Sequence, residues 1–137
     1  MRSAQNYLFI APMLDTSTTL ANVIQSTLGL FGLQPLLHLE RAGAGEASFS
    51  ETTQRSLEQA DLVIADISGG NPNVMYEIGL AQGLGKAILP IVRRDEKEIP
   101  RSLGSVRYLV YDPEQPESLS RYLKNWAAHY LPARVES

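Results

Sequence analysis

Apolar residues in this chain fall into short continuous runs separated by amphipathic stretches, so two structural periods alternate from end to end. Tyr7–Ala11 is an apolar run of strand length. Asp15 or Ser17 then caps a helix predicted to run to about Phe31, with Leu20, Val23, Ile24, Thr27 and Leu28 on one face and Gly32 at its end. Pro35–Leu39 reads as a second short strand, and the Gly- and Ala-rich stretch Ala42–Ser48 as a loop. Ser48 and Glu51 have the spacing of a capping box, which starts a helix reaching about Ala60. Leu62–Asp66 (LVIAD) is the clearest strand, apolar on both faces as buried parallel strands are. A turn-rich loop over Ile67–Asn73, a helix to about Gly85, a strand over Ala87–Val92, a charged stretch over Arg93–Gly104 and a strand over Val106–Tyr111 follow. From Pro116 the positions Leu119, Tyr122, Leu123, Trp126, Ala127 and Tyr130 recur at helical spacing, which predicts an amphipathic terminal helix with Trp126 and Tyr130 in the core.

Strands that alternate with helices imply a parallel sheet covered on both faces. Right-handed crossovers then favour a flavodoxin- or Rossmann-like three-layer α/β sandwich of five strands in the order 2-1-3-4-5, formed by one domain over residues 1–137. Ligands in such sheets bind beyond the C-terminal strand ends, at the switch point between strands 1 and 3. This places Pro12–Ser17 and Ile67–Asn73 at the pocket, with Ala42–Ser48 beside them as a lid. Pro12 and Asp15 are therefore candidate ligand contacts, although Asp15 or Ser17 equally serves as a helix cap.

A length of 137 residues suits one domain, and 44% apolar with 20% charged residues is globular composition. The net charge of −3 argues against a general nucleic-acid binder, but not against a small nucleotide ligand. There is no cysteine, and the two histidines, His38 and His129, lack ligand spacing, so no metal site and no Cys nucleophile are expected. No apolar run reaches the ~18–20 residues that span a bilayer. The N-terminus lacks a signal-peptide pattern, so the expectation is a cytoplasmic protein without a membrane partner.

The chemistry concentrates between Asp61 and Leu89. In Ser68-Gly69-Gly70-Asn71-Pro72-Asn73 the glycines allow a tight turn, and Asn71 before Pro72 suits an N-cap followed by Pro at the first helical position. Such a start predicts free backbone N–H groups aimed at the pocket, which attract a phosphate or ribose; the competing reading is a simple helix cap. Asp66 either orients a ribose hydroxyl or serves the turn, and Ser68 either meets the ligand or bonds locally. Arg93 and Arg94 either meet a phosphate or belong to a solvated charged loop. Glu77 is the sharper feature. On a helical wheel it lies about 60° from the Val74, Ile78, Ala81 and Gly85 stripe. A carboxylate beside an apolar face needs a partner or a purpose. Near a sugar it can stabilise an oxocarbenium ion or attack the anomeric carbon; otherwise it is a structural Glu.

The words Ala60-Asp61-Leu62-Val63-Ile64-Ala65-Asp66 and Asn71-Pro72-Asn73-Val74-Met75-Tyr76-Glu77-Ile78-Gly79-Leu80-Ala81 resemble the signature of nucleoside 2-deoxyribosyltransferase-like and TIR-like proteins. The likeness extends to Gly85-Lys86-Ala87-Ile88-Leu89 and, through the strand order, to almost the whole chain. It implies that Glu77 is the catalytic carboxylate for cleavage or transfer of an N-glycosidic bond. The implied substrate is a nucleotide, with NAD preferred as substrate rather than cofactor and a deoxynucleotide second. It also implies a homo-oligomer and a part in antiviral defence, and it puts Ala42–Ser48 where TIR-like proteins carry their BB loop. Two positions depart from the pattern. Asn71 stands where many deoxyribosyltransferases carry an acid, six residues before the Glu, and Thr53 where related nucleotide hydrolases carry an Asp. Both departures also suit a module that binds a nucleotide without cleaving it.

Overall fold

Strand β3 (Leu62–Asp66) is buried at every position, and the rest of the chain is arranged around it. The computed structural model describes residues 4–12, 15–36, 49–96 and 107–131, apart from the side chains of residues 15–17 and 49–52. β3 pairs in parallel with β1 (Asn6–Ile10) on one side and β4 (Ala87–Arg93) on the other. β2 (Gln34–Pro35) and β5 (Leu109–Tyr111) form the edges, so the order is β2-β1-β3-β4-β5 and every pairing is parallel, as the alternation predicts. Among the described residues four α-helices complete the layers: α1 (Asp15–Gly29), α2 (Phe49–Gln59), α3 (Pro72–Gly83) and α4 (Leu119–Tyr130).

Strand side chains alternate between two cores, as a pleated sheet requires. Tyr7, Leu62, Ile64, Leu89 and Ile91 pack with Leu20, Ile24 and Leu28 of α1 and Leu119, Leu123 and Ala127 of α4. Leu8, Ile10, Val63, Ala65 and Val92 pack with Leu57 of α2 and Val74, Ile78 and Ala81 of α3. A hydroxyl pair, Thr27 with Ser120 at 2.8 Å, joins α1 to α4. At the opposite edge of the sheet Asp61 Oδ2 accepts from the Gln5 and Asn6 amides (2.8 and 3.2 Å), and Asn6 Oδ1 accepts from the Asp61 amide (2.7 Å). This reciprocal clamp fixes the register of β1 against β3.

Several expected boundaries move. β2 is limited to Gln34–Pro35, with the Gln34 and Leu36 amides donating to the Gln5 and Tyr7 carbonyls of the β1 side (3.0 and 2.7 Å); residues 37–39 lie outside the described residues. β5 begins at Leu109 rather than Val106, which is itself outside them. So do Ala42–Ser48, the capping-box Ser48 and residues 97–104, as well as the Glu51 side chain. α3 ends at Gly83, and Gly85 is exposed rather than on the sheet-facing stripe. In α4 the buried stripe is Leu119, Leu123 and Ala127, whereas Tyr122 and Tyr130 are each 47% exposed and Trp126 is half-buried. Trp126 packs against the edge of the core, whereas the expectation of a core position for Tyr130 is corrected. A helix of 3.6 residues per turn offers two adjacent apolar stripes, and the Leu119, Leu123, Ala127 stripe is the one that joins the core.

Burial pushes the Tyr7 phenol up to about 12. The folded state therefore holds that proton more tightly than the unfolded chain does, and the associated stability is complete below about pH 10 and is lost as pH rises towards 12. Urea unfolding from pH 8 to 12 should show this decline, and Tyr7→Phe should flatten it.

Candidate active site

The turn from β3 into α3 is built from internal hydrogen bonds. Asp66 ends β3 and is 4% exposed. Its Oδ1 accepts from the Ser68 amide (3.0 Å) and its Oδ2 from the Tyr111 hydroxyl (2.7 Å). Ser68 Oγ in turn accepts from the Arg93 amide (2.8 Å), and the Gly70 amide donates to the Ile67 carbonyl (3.0 Å). Gly69 and Gly70 have φ of +78° and +60°. A Cβ at either position would meet nothing within 4 Å, so the left-handed backbone, not space, is what calls for glycine. The Gly69 amide donates to Glu96 Oε2 (2.8 Å). Burial raises the Tyr111 phenol well above its usual range. The bond to Asp66 adds to that rise and Ser68 opposes it, so Tyr111 stays protonated and donates.

Helix α3 starts at Pro72 under an Asn71 cap. Asn71 Oδ1 accepts from the Asn73 and Val74 amides (2.9 and 3.3 Å), and the Asn71 carbonyl from the Met75 amide (3.0 Å). The expectation of free N–H groups at this helix start is therefore corrected: the donors of Asn73 and Val74 are held by the cap. Among Ser68, Gly69, Gly70 and Asn73, each amide already has an acceptor within the protein.

Glu77 lies on the buried face of α3. The helix buries Val74, Glu77, Ile78 and Ala81, and Glu77 is only 7% exposed. α2 buries Thr53, Ser56 and Leu57, the buried Ala60 just beyond its end continues the same spacing, and the two helices pack together. Both return from the C-terminal to the N-terminal edge of a parallel sheet, so they run in the same direction. Thr53 and Glu77 each fall in the second turn of their helix. Thr53 is fully buried, and its Oγ1 has no hydrogen-bond partner among the described residues. An unsatisfied buried hydroxyl costs about 1–3 kcal/mol. Strand parity puts Asp66 on the face shared by Leu62 and Ile64, towards α1 and α4, whereas Glu77 is on the α2/α3 face. The glycine turn crosses the sheet edge between them.

The remaining candidates are distributed as follows. Pro12 is half-buried just beyond β1, and the Asp15 side chain lies outside the described residues. Arg93 makes a two-pronged bond to Asp95 (3.2 and 3.1 Å), which raises its pKa, and Arg94 pairs with Asp112 at 3.3 Å. Tyr76 is exposed and points away from the sheet, as the wheel predicts. Tyr111 and Glu96 escaped the sequence reading. Only the β4–β5 pairing brings them to the turn, and no local pattern signals it. Clefts of about 400 and 520 Å³ lie between β5 and α4, around Tyr108, Leu109 and Tyr122, and neither is lined by Glu77. Among the described residues there is no group of three or more potential metal ligands, and no helix is long and apolar enough to cross a membrane.

Comparison with known proteins adds to this geometry. No family model matches the chain. It is 31% identical over 104 residues to the 5-hydroxymethyl-dUMP N-hydrolase of Rattus norvegicus, a match covering 72% of this chain and 63% of that relative, less than two thirds of the relative's length. The CMP N-glycosidase of Clostridium botulinum superposes with a TM-score of 0.66 at 19% identity, over 88% of this chain and 98% of that one. The 2-deoxyribosyltransferase of Leishmania mexicana gives 0.67 at 15% identity, over 93% and 99%. The chain thus has the nucleoside 2-deoxyribosyltransferase-like α/β fold.

The cap makes a direct prediction. Asn71→Ala should lower stability by about 1 kcal/mol in chemical unfolding, because two amides lose their acceptor, whereas Asn71→Asp, an equally good cap, should stay close to the parent.

Proposed function

We propose that this domain cleaves or transfers the N-glycosidic bond of a nucleotide, with Glu77 as the carboxylate that meets the anomeric carbon. The observation that supports it most is the burial of Glu77 on a helix face that is otherwise Val74, Ile78 and Ala81. A carboxylate is expensive there unless it has work to do or a strong partner. The sequence likeness to an N-hydrolase and the shared fold with an N-glycosidase and a deoxyribosyltransferase support a glycosidic role for it.

As the bond from C1′ to the base breaks, its electron pair leaves with the base and positive charge spreads over C1′ and the ring oxygen. Glu77 stabilises that charge or bonds to C1′ as a nucleophile; water or an acceptor base then takes the sugar. A poorly solvated carboxylate acts strongly on such a charge. Asp66, Ser68, the Gly69–Gly70 turn, Asn71 and Asn73 shape the pocket rim on this reading, and Pro12 closes it just beyond β1.

The N-hydrolase and the CMP N-glycosidase are named for nucleoside monophosphates, so these are the first substrates to try. A second reading, NAD, is favoured by Thr53 and Asn71. Neither side chain can protonate a leaving base, and nicotinamide is already cationic in NAD and leaves as a neutral molecule.

The test is product analysis of the protein at high concentration with NAD, CMP, 5-hydroxymethyl-dUMP and a panel of deoxynucleosides, alongside Glu77→Gln. Free base should appear with the parent, and Glu77→Gln should lower its release roughly a hundred- to a thousandfold while leaving nucleotide binding within a few-fold. No release from any substrate, with binding retained in both proteins, would reject catalysis and leave a nucleotide-binding module.

A further inference from the structure

We propose that Tyr111 is a positioning residue for the Glu77 site, acting through Asp66 on the turn that sets helix α3. The inference rests on the catalytic reading of Glu77 and adds to it a residue that the resemblance does not point to.

The geometry is specific. Tyr111 pairs with Arg93 of β4, and Asp66 pairs with Ile91 of the same strand, so the phenol reaches past β4 to a carboxylate two strands away. Strands are spaced ~4.8 Å apart, and a tyrosine is among the few side chains long enough for that reach. The bond it makes is short, 2.7 Å, and buried. Asp66 has one oxygen on this phenol and the other on the Ser68 amide. Both donors stabilise the charged carboxylate in a place where water does not.

The turn needs such an anchor. Gly69 and Gly70 allow it, but glycine also allows many other conformations at little cost. Asp66 holds one end of the turn through the Ser68 amide, and Asn71 holds the other through the α3 cap. Glu77 sits on the helix that begins immediately after the cap. Loss of the phenol therefore loosens the turn and misplaces the carboxylate without touching it. Other charged groups near the pair come from the end of β4: Arg93, bonded to Asp95, and Glu96, bonded to the Gly69 amide. None of them replaces the phenol as a donor to Asp66.

Tyr111→Phe removes the hydroxyl and keeps the ring. Two readouts are taken: hydrogen exchange at the Ser68 amide, and the kcat and KM of base release. Ser68 exchange should quicken, because a donor that holds Asp66 in place is lost, and kcat should fall roughly ten- to a hundredfold with KM within about threefold. A lower Tm with unchanged Ser68 exchange and unchanged kcat would mean that Tyr111 only packs, and would overturn the proposal. If Tyr111→Phe does not fold, Asp66→Asn serves instead: it removes the charge that both donors serve, and parental kcat in that variant overturns the proposal equally. If the parent protein releases no base from any substrate, the reading of Glu77 fails by itself. In that case Ser68 exchange still decides whether the phenol anchors the turn.

Discussion

A carboxylate at the end of a fully buried strand has to be satisfied from within the protein, and the top of this sheet is organised by that demand. β3 is flanked by strands on both sides and covered by helices on both faces, so Asp66 meets little water. An uncompensated charge there would cost several kcal/mol. Two donors meet it: an amide two residues further on, which forces the chain to turn, and a phenol from the edge strand, which ties β5 to the centre. The turn, the glycines that permit it, and the start of α3 all follow from where those donors are.

The sheet then separates its two carboxylates. By strand parity Asp66 belongs to the α1/α4 side, while Glu77 lies in the α2/α3 interface. They are linked by one short turn rather than by contact, so Asp66 bears on Glu77 mechanically, through backbone position. The α2/α3 interface is also where the polar residues collect: Thr53, Ser56 and Glu77 are buried beside Leu57, Val74, Ile78 and Ala81. Polar side chains on a face that could be apolar throughout are what the proposed catalytic reading of Glu77 asks for.

What the sequence revealed, it revealed through local rules. LVIAD was legible as the central strand because both faces are apolar, and Asn71-Pro72 as a helix start because cap chemistry is a matter of neighbouring residues. The strand order followed from the alternation of elements and the handedness of crossovers. Features that depend on distant residues were not legible. The Tyr111–Asp66 bond joins positions 45 apart in the chain, and the Glu96–Gly69 bond positions 27 apart. In α4 the periodicity was right but did not choose between the Leu119, Leu123, Ala127 stripe and the Tyr122, Trp126, Tyr130 stripe, since both lie at helical spacing. The free amides expected at α3 illustrate a different error. The residue that identifies the helix start, Asn71, is the same one that occupies the donors, so a strong cap argues against an open anion site at those amides.

That last point bears on how a nucleotide would be recognised. With the Asn73 and Val74 amides bonded to Asn71 and the Gly69 amide to Glu96, a phosphate would have to displace a protein acceptor or be held elsewhere. Displacing Glu96 exchanges one anion for another at the same amide, so the net gain is small; displacing the cap would cost helix stability. Recognition on the proposed reading therefore falls more on the sugar, close to Glu77, than on the phosphate. Thr53 fits that division: its buried hydroxyl lacks a partner among the described residues, and a hydroxyl can bond a sugar although it cannot protonate a departing base. On the proposed reading Glu77 would meet the anomeric carbon and Thr53 the sugar, so the comparison of NAD with the monophosphates reads whether the departing base needs a proton from elsewhere.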